Sequence, residues 1–425
     1  MTATTRRPST VDHVPPRTVE ETAGIHALLG AFPENIFLSI PTNGEPFGRD
    51  HVAAAGHTDT KMSSAHVRFT LSRGQLSVED TKSRNGTFLN GARLPPNKPV
   101  PVQDGAVLRL ATTLFVYRAD YRGPRAAESP LDGLVAPWGL SGLRGALAKL
   151  PLTKPPHNVL IEGATGVGKE LLAPVVAKIL KRNPNQFQAI NVTSFPETMF
   201  DAQLFGWEQG AHSGATKGNV GVFRSLDKGS VFLDEIGELP PSLQPKLLRL
   251  LENREVTSIG AQRSVKVDLA VIGATNRSLD EMVESDRFRE DLLARFPIRL
   301  RLPRLVERPE DLFAITRALW EKLFGRLDLS RVRVDAEAVE QMMLHAWPAN
   351  VRDVVRLLAT VDPNAGLKLS TVQAFLGEQG ATSTPLLTPE SVKQVLDEEN
   401  GNVTAAARRL RVDRNKIYRM LPKVK

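Results

Sequence analysis

The chain has 425 residues, 41% of them hydrophobic and 24% charged, no cysteine, and a formal net charge of +8. That length accommodates two or three domains with ordinary cores. The missing cysteines exclude disulfides and thiolate metal sites, and no stretch reaches the roughly 18 to 20 apolar residues that cross a bilayer. The positive balance points to an acidic partner, nucleic acid above all.

Residues 1–22 are polar, with Arg6 and Arg7 and no apolar signal core, and are expected to form a disordered tail of a cytoplasmic protein. Residues 23–118 then read as strands. "AHVRFTL" and "QLSVED" alternate apolar and polar residues around the turn signal Ser72-Arg73-Gly74. "SRNGTFLNGARL" carries two Asn-Gly pairs, which favour tight turns, and "AVLRLATTLFVYRA" alternates again. An all-β sandwich is expected. With Phe47-Gly48-Arg49, "SSAH" (Ser63 to His66) and "SRNGTFLNG" (Ser83 to Gly91), the segment resembles a forkhead-associated (FHA) domain. The resemblance implies phosphothreonine binding by Arg49, Ser63, Arg84 and Asn85, donors and cations suited to phosphate, with His66 a structural strut. Ser64 stands where the family has arginine, so a sandwich that keeps its turns without binding phosphopeptide stays open. Residues 119–133 are Pro/Gly-punctuated and expected to be a linker.

From 134 to 365 the pattern becomes strand–helix repeats. "HNVLIEG", "GSVFLDE" and "VDLAVIGATN" are short apolar runs suited to strands buried on both faces of a parallel sheet, and "KELLAPVVAKILKR" has helical periodicity. Gly163-Ala164-Thr165-Gly166-Val167-Gly168-Lys169 follows the first strand and opens that helix, the context a P-loop requires. Its glycines let backbone N–H groups wrap phosphates, and Lys169 reaches the β/γ-phosphates of ATP. Glu170 takes the place of the usual Ser or Thr ligand to Mg²⁺. Asp234 and Glu235 end a strand where ligands of parallel sheets bind; one carboxylate can hold Mg²⁺ and the other polarise a water toward the γ-phosphate. Thr275 and Asn276 end a further strand and are suited to sensing that phosphate.

Taken together, these motifs resemble the AAA+ domain of bacterial enhancer-binding proteins, the activators of sigma-54 RNA polymerase. In that family the P-loop lysine is followed by glutamate, as in Lys169-Glu170. The resemblance makes Asn191 of "AINVTSFPE" a switch residue that restrains Glu235. Arg289 and Arg295 of "FREDLLARFPIRL" become arginine fingers, and Arg352 of "WPANVRDV" a phosphate contact within the same subunit. A site completed by a neighbour implies a ring, and the family forms hexamers. The glycine-rich "LFGWEQGAHSGATKG" matches the loop that carries the family's Gly-Ala-Phe-Thr-Gly-Ala contact to sigma-54. Here it reads Gly210-Ala211-His212-Ser213-Gly214-Ala215, with histidine for phenylalanine.

Residues 366–385 are expected to connect to a terminal module, 386–425. "GNVTAAARRLRVDRNKIYRMLPKVK" resembles a Fis-type helix-turn-helix, which implies Arg414, Asn415, Lys416, Tyr418 and Arg419 in a DNA major groove. The expected fold class is therefore multidomain: an all-β FHA sandwich, an α/β AAA+ P-loop ATPase with a helical lid, and an all-α helix-turn-helix. The implied function is an activator that binds upstream DNA as dimers and assembles a hexameric ring. It would remodel sigma-54 RNA polymerase with ATP and Mg²⁺, under control of a phosphothreonine protein such as a Ser/Thr kinase or its target. Two alternatives stay open: a DNA-binding AAA+ regulator that does not engage sigma-54, and a phosphopeptide-binding adaptor.

Overall fold

The computed structural model describes residues 24–153, 155–194, 196–211, 217–325 and 332–380, with Leu396 and Val403. The expected tail, the loop positions His212, Ser213, Gly214 and Ala215, and the DNA-contacting residues Arg414, Asn415, Lys416, Tyr418 and Arg419 lie outside the described residues.

The first module is a β-sandwich. Its strands are β1 (Ile25–Phe32), β2 (Phe37–Ser39), β3 (Asn43–Phe47), β4 (Val67–Ser72), β5 (Gln75–Asp80), β6 (Thr87–Leu89), β7 (Ala92–Arg93), β8 (Val100–Pro101), β9 (Val107–Leu110) and β10 (Thr113–Tyr121), with helix α1 (Arg49–Ala54) after β3. Among the described residues one sheet runs β2-β1-β10-β9-β6-β7 and the other β3-β4-β5-β8. Period-two burial explains the pairing: Val67 and Phe69 of β4 and Leu76 and Val78 of β5 point into the core. Arg73 and Gly74 (φ 49° and 79°) turn β4 into β5, and Asn90 and Gly91 (φ 50° and 82°) turn β6 into β7, the positive-φ pairs that two-residue hairpins need. "AVLRLATTLFVYRA" is a hairpin rather than one strand, turning at Ala111 (φ 54°). Strand β10 runs to Tyr121, so the first residues of the expected linker belong to the sandwich.

The second module is α/β. It comprises α2 (Ser141–Ala148), β11 (Val159–Glu162), α3 (Lys169–Ile179), β12 (Phe187–Asn191), α4 (Glu197–Phe205), α5 (Val222–Ser225), β13 (Ser230–Asp234), α6 (Gln244–Asn253), β14 (Glu255–Val256), β15 (Val265–Lys266), β16 (Ala270–Thr275), α7 (Leu279–Glu284), α8 (Glu290–Leu293) and β17 (Ile298–Arg301). The central sheet, β12-β13-β16-β11-β17, is parallel, which sets the carboxyl ends of β11, β13 and β16 side by side. Val159 and Ile161 pack under α2 and α3, while Leu160 joins the core on the opposite face. Helix α3 stops at Ile179, three residues short of the end of the helix-period segment at Arg182. Lys181 turns left-handed (φ 56°), and Arg182 leaves to bond Gly229 O and Asp268.

A lid follows: α9 (Leu312–Phe324), α10 (Ala336–Leu344), α11 (Val351–Leu358) and α12 (Leu369–Gly380). Helix α12 corrects the expected connector at 366–385, because Val372 and Phe375 are buried in the lid core. The same core includes Ala31, Phe32, Val107, Leu114 and Val116 of the sandwich, so the first module and the lid share one apolar cluster. No helix among the described residues is long and apolar enough to cross a membrane.

Within the sandwich, buried Asp80 accepts from Ser83 N and Oγ (2.9 and 2.6 Å) and from Thr87 Oγ1 (2.6 Å). Burial pushes its pKa up, but the hydrogen bonds from Ser83 and Thr87 outweigh this and hold it below the ordinary value. Asp80→Ala is expected to cost ~1–3 kcal/mol at pH 7. A depressed carboxylate stabilises fully above its unfolded value, ~3.9, and loses that contribution as pH falls through its folded value. The difference between wild type and variant in urea unfolding should therefore shrink as the pH is taken below about 4.

Candidate nucleotide site

The loop between β11 and α3 is shaped by backbone demands that only glycine meets. Gly166 and Gly168 have φ of 77° and 107°, and a Cβ at Gly166 would lie 2.2 Å from Ala349 O. The N-terminus of α3 points its free N–H groups into a cleft of about 400 Å³ lined by Thr165, Gly166, Gly168, Lys169, Glu170, Asp234, Glu235 and Arg352, among others. The apolar wall at the other end, Leu134, Val135, Ile315, Leu319 and Val355, comes from the segment before α2 and from the lid.

Lys169 is buried, donates to Gly163 O (3.0 Å) and sits 3.7 Å from Glu235 Oε1. Glu235 adopts a left-handed backbone (φ 56°, ψ 47°), which is rare for a side-chain-bearing residue and marks a position held by its surroundings. Its carboxylate accepts from Asn276 N (3.3 Å), while Asn276 Nδ2 donates to Thr165 Oγ1 (3.0 Å). Asn276 thereby bridges the P-loop and the acidic pair. Burial, then the neighbouring Glu235, raises the pKa of Asp234; Lys169 opposes them. Two adjacent carboxylates facing a phosphate-shaped cleft form an oxygen donor set of the kind Mg²⁺ takes.

Two expected residues sit differently. Thr275 is buried, and its hydroxyl accepts from Arg277 N (3.0 Å); its carbonyl accepts from Gly163 N (3.1 Å) at the start of the P-loop, so of the two side chains it is that of Asn276 that reaches the loop. Asn191 ends β12 beside Asp234, and its Oδ1 accepts from Thr193 N and Oγ1 (2.8 and 2.7 Å); its Nδ2 makes no hydrogen bond to the Glu235 carboxylate in this structure. Glu170 follows Lys169 into α3 and lines the cleft as an exposed carboxylate. Arg289 pairs with Asp291 (2.7 Å) and Arg295 with Glu252 (2.6 Å), both exposed, and neither lines the chain's own cleft.

The lid is pinned to the P-loop by a residue whose role the sequence did not reveal. Buried Asn350 (φ 53°) donates from Nδ2 to Thr165 O (2.9 Å) and accepts at Oδ1 from Leu305 N (2.9 Å), and Val351 N donates to Gly166 O (3.1 Å). This places Arg352 on the cleft wall. Arg308 was missed as well. It is buried beside the cleft, 3.5 Å from Val167 O and 3.8 Å from Asp311, and burial lowers its pKa. Its only trace in sequence is a charged stretch, "RLVERPED", that reads as surface.

The glycine-rich loop rises from a short antiparallel base in which Trp207 and Asn219 exchange backbone hydrogen bonds (2.9 and 2.8 Å). Gly206, Gly210 and Gly221 all have positive φ, and Ala211 packs against Gly260.

On the sandwich, the candidate phosphothreonine residues gather at one loop end. Arg49 N donates to Ser63 O (3.0 Å), Arg84 N to Ser63 Oγ (3.3 Å), and Asn85 Nδ2 to Lys61 O (2.6 Å). A Cβ at Gly48 would meet Ser63 O at 2.3 Å. Fully buried His66 accepts from Ser63 N at Nδ1 (3.1 Å), which leaves Nε2–H to donate to Gly86 O (3.1 Å); burial keeps it neutral. It braces the two loops and does not face solvent.

Residues 146–300 match the Sigma-54 interaction domain family and residues 47–111 the FHA domain family. The chain is similar to the DNA-binding transcriptional activator HyfR of Escherichia coli, 34% identical over 294 residues that make up 63% of this chain and 44% of HyfR. It is similar also to the Sigma54-dependent transcriptional regulator SfnR of Pseudomonas fluorescens, 39% identical over 202 residues, 47% of this chain and 55% of SfnR. The chain spans about half the length of these curated relatives. In fold it is like the crystal structure of NtrX from Brucella abortus (TM-score 0.50, 23% identity, 68% of each chain). The sigma-54 interaction domain is an AAA+ ATPase, and in this chain the segment that matches it follows one that matches the FHA family.

Asn350→Ala would strand the Thr165 carbonyl and the Leu305 N–H in a buried site, a cost of ~1–3 kcal/mol for an unpaired group. Nucleotide affinity, measured calorimetrically with ADP, should fall about tenfold or more, each tenfold being ~1.4 kcal/mol. Unchanged affinity would mean that the lid does not depend on this clip.

Proposed function

We propose that this protein is an ATP-dependent transcriptional activator acting in the cytoplasm. It binds upstream DNA through residues 386–425, assembles a hexameric ring from dimers, and uses ATP hydrolysis to remodel sigma-54 RNA polymerase. The observation that carries the reading is the convergence on one cleft of Lys169 and Glu235, both within the segment that matches the sigma-54 interaction domain, and Arg352 of the lid, with Asn276 bonded to Glu235.

Each residue has a separate task. Backbone N–H groups at the start of α3 and the Lys169 ammonium bind the phosphates. Asp234 would hold Mg²⁺, which supplies charge neutralisation at the β- and γ-phosphate oxygens. Glu235 accepts a proton from, and orients, the attacking water, and Asn276 holds that carboxylate while touching the P-loop through Thr165. Arg352 contacts the phosphates from the lid. Arg289 and Arg295, turned away from their own cleft and exposed, are placed to enter a neighbouring copy's site and stabilise the transition state there. Asn191, whose Oδ1 is held by Thr193, would donate from Nδ2 to Glu235 when nucleotide is bound.

The FHA loops bind a phosphothreonine protein, a Ser/Thr kinase or its target, through Arg49, Ser63, Arg84 and Asn85, and this recognition controls the ATPase. A second reading, a DNA-binding AAA+ regulator acting without sigma-54, is favoured by one feature: His212 stands where the family's loop presents phenylalanine.

Lys169→Ala should lose ATP binding. Glu235→Gln should keep binding and lower the hydrolysis rate by a factor on the order of 10² to 10⁴, the range for removal of a general base; normal turnover in that variant would displace Glu235 from its role. Co-sedimentation with sigma-54 in the presence of an ATP transition-state mimic decides between the two readings. A nucleotide-dependent complex supports the first, whereas a complex that forms only after His212→Phe supports the second. Arg49→Ala should abolish binding of a phosphothreonine peptide and leave basal ATPase activity in place, as a fluorescence-anisotropy titration would register.

A further inference from the structure

The sandwich is bonded to the lid by two ion-paired contacts flanking the shared apolar cluster. Arg118 of β10 donates from Nη2 to both oxygens of Glu310 (2.7 and 2.8 Å) and to Glu307 O (3.2 Å). Arg109 of β9, buried, donates from Nε to buried Glu340 of α10 (2.8 Å) and from Nη1 to Glu337 of the same helix (3.1 Å). Between them Phe32 meets Phe313 edge-on (4.7 Å), and Trp138 Nε1 donates to Gly30 O (3.2 Å). A planar guanidinium fork held by two carboxylates on one helix fixes orientation as well as distance. These contacts hold the sandwich and the lid in one mutual orientation.

A continuous set of hydrogen bonds runs from the candidate phosphothreonine loops to that fork. Asn85 Nδ2 donates to Lys61 O, and Lys61 N donates to Asp59 Oδ1 (2.9 Å). Asp59 Oδ2 accepts from Thr112 N and Oγ1 and from Thr113 Oγ1 (3.1, 2.9 and 2.9 Å), and Arg109 Nη1 reaches Ala111 O in the same turn (3.3 Å). Loop 57–61 faces Val334 and Ala336, at the start of α10, across an open cleft that leaves it room to shift. On the far side Met342 O of α10 accepts from Trp347 Nε1 (2.7 Å), three residues before the Asn350 clip on the P-loop.

We propose that Arg109 is a positioning residue of the ATPase lid, through which occupancy of the nucleotide cleft and of the sandwich's phosphothreonine loops change each other's affinity. The peptide half rests on the phosphothreonine reading above; the nucleotide half does not. Thermodynamic linkage requires the effect to be reciprocal, so each end can be read from the other.

The experiment uses the full chain. In the wild type, saturating ADP should change amide hydrogen exchange in residues 57–63 at least threefold. A phosphothreonine peptide that binds should shift the ADP dissociation constant about fivefold or more, the lower end of allosteric couplings. In Arg109→Gln both effects should vanish while ADP still binds, and Arg109→Lys, which keeps the charge but not the fork, should restore part of them. Should Arg109→Gln fail to fold, Glu337→Gln at the half-exposed member should weaken the exchange response without unfolding. Exchange in 57–63 that ignores ADP in the wild type overturns the proposal, as does a full response in the foldable variants. A chain to which no phosphothreonine peptide binds overturns only the phosphothreonine reading, because the ADP-dependent exchange still decides the coupling.

Discussion

The clip between Asn350 and the P-loop is the contact on which the rest of the ATPase geometry depends. A P-loop alone offers a ring of N–H groups and a lysine, which bind phosphate but close nothing. By accepting from Leu305 N and donating to Thr165 O, Asn350 ties the phosphate loop to the turn that starts α11. The apolar end wall of Ile315, Leu319 and Val355 and the charged residue Arg352 then stand over the same cleft as Lys169 and Glu235. Such a bond is strong because it is buried: neither partner finds water if the other leaves.

A cleft built across a parallel sheet edge and a separate helical lid responds to whatever else is attached to the lid. Here that is the sandwich. The shared cluster of Phe32, Leu114, Val116, Phe313, Val339 and Met342 packs the two modules directly against each other. The Arg109–Glu340 pair would be costly to separate, since each charge would be left buried without a partner. The joint differs from a tethered regulatory domain, which samples many orientations. Its chemistry gives the candidate phosphothreonine loops and the nucleotide loop a common packed support.

Burial at the ends of the motifs sets the division of labour in the site. Thr275 and Asn276 are neighbours in sequence, yet β16 turns one into the sheet and presents the other to Thr165 and Glu235. Asp234 and Glu235 divide in the same way. The strand carries Asp234 to the cleft in an extended conformation, and Glu235 needs a left-handed backbone to bring its carboxylate beside Lys169.

What was legible in the sequence was local. Glycine spacing before Lys169, the apolar strand ending in Asp234-Glu235, the Asn-Gly turns of the sandwich and the period-two burial of β4 and β5 all depend on backbone angles and side-chain alternation within a few residues. The amino-acid order alone therefore pointed to a β-sandwich followed by a P-loop ATPase core, and to residues such as Lys169, Asp234, Glu235 and Arg352 that the fold brings to one cleft. Tertiary structure alone decided the rest. Arg109 and Glu340 lie 231 residues apart, Arg308 sits in a charged stretch that reads as surface, and α12 fills a segment that reads as a connector because only two of its apolar residues, Val372 and Phe375, are deeply buried. The physical reason is common to all three. A charge or an apolar side chain becomes interior only through the element that covers it, and the local pattern carries no record of which element that will be.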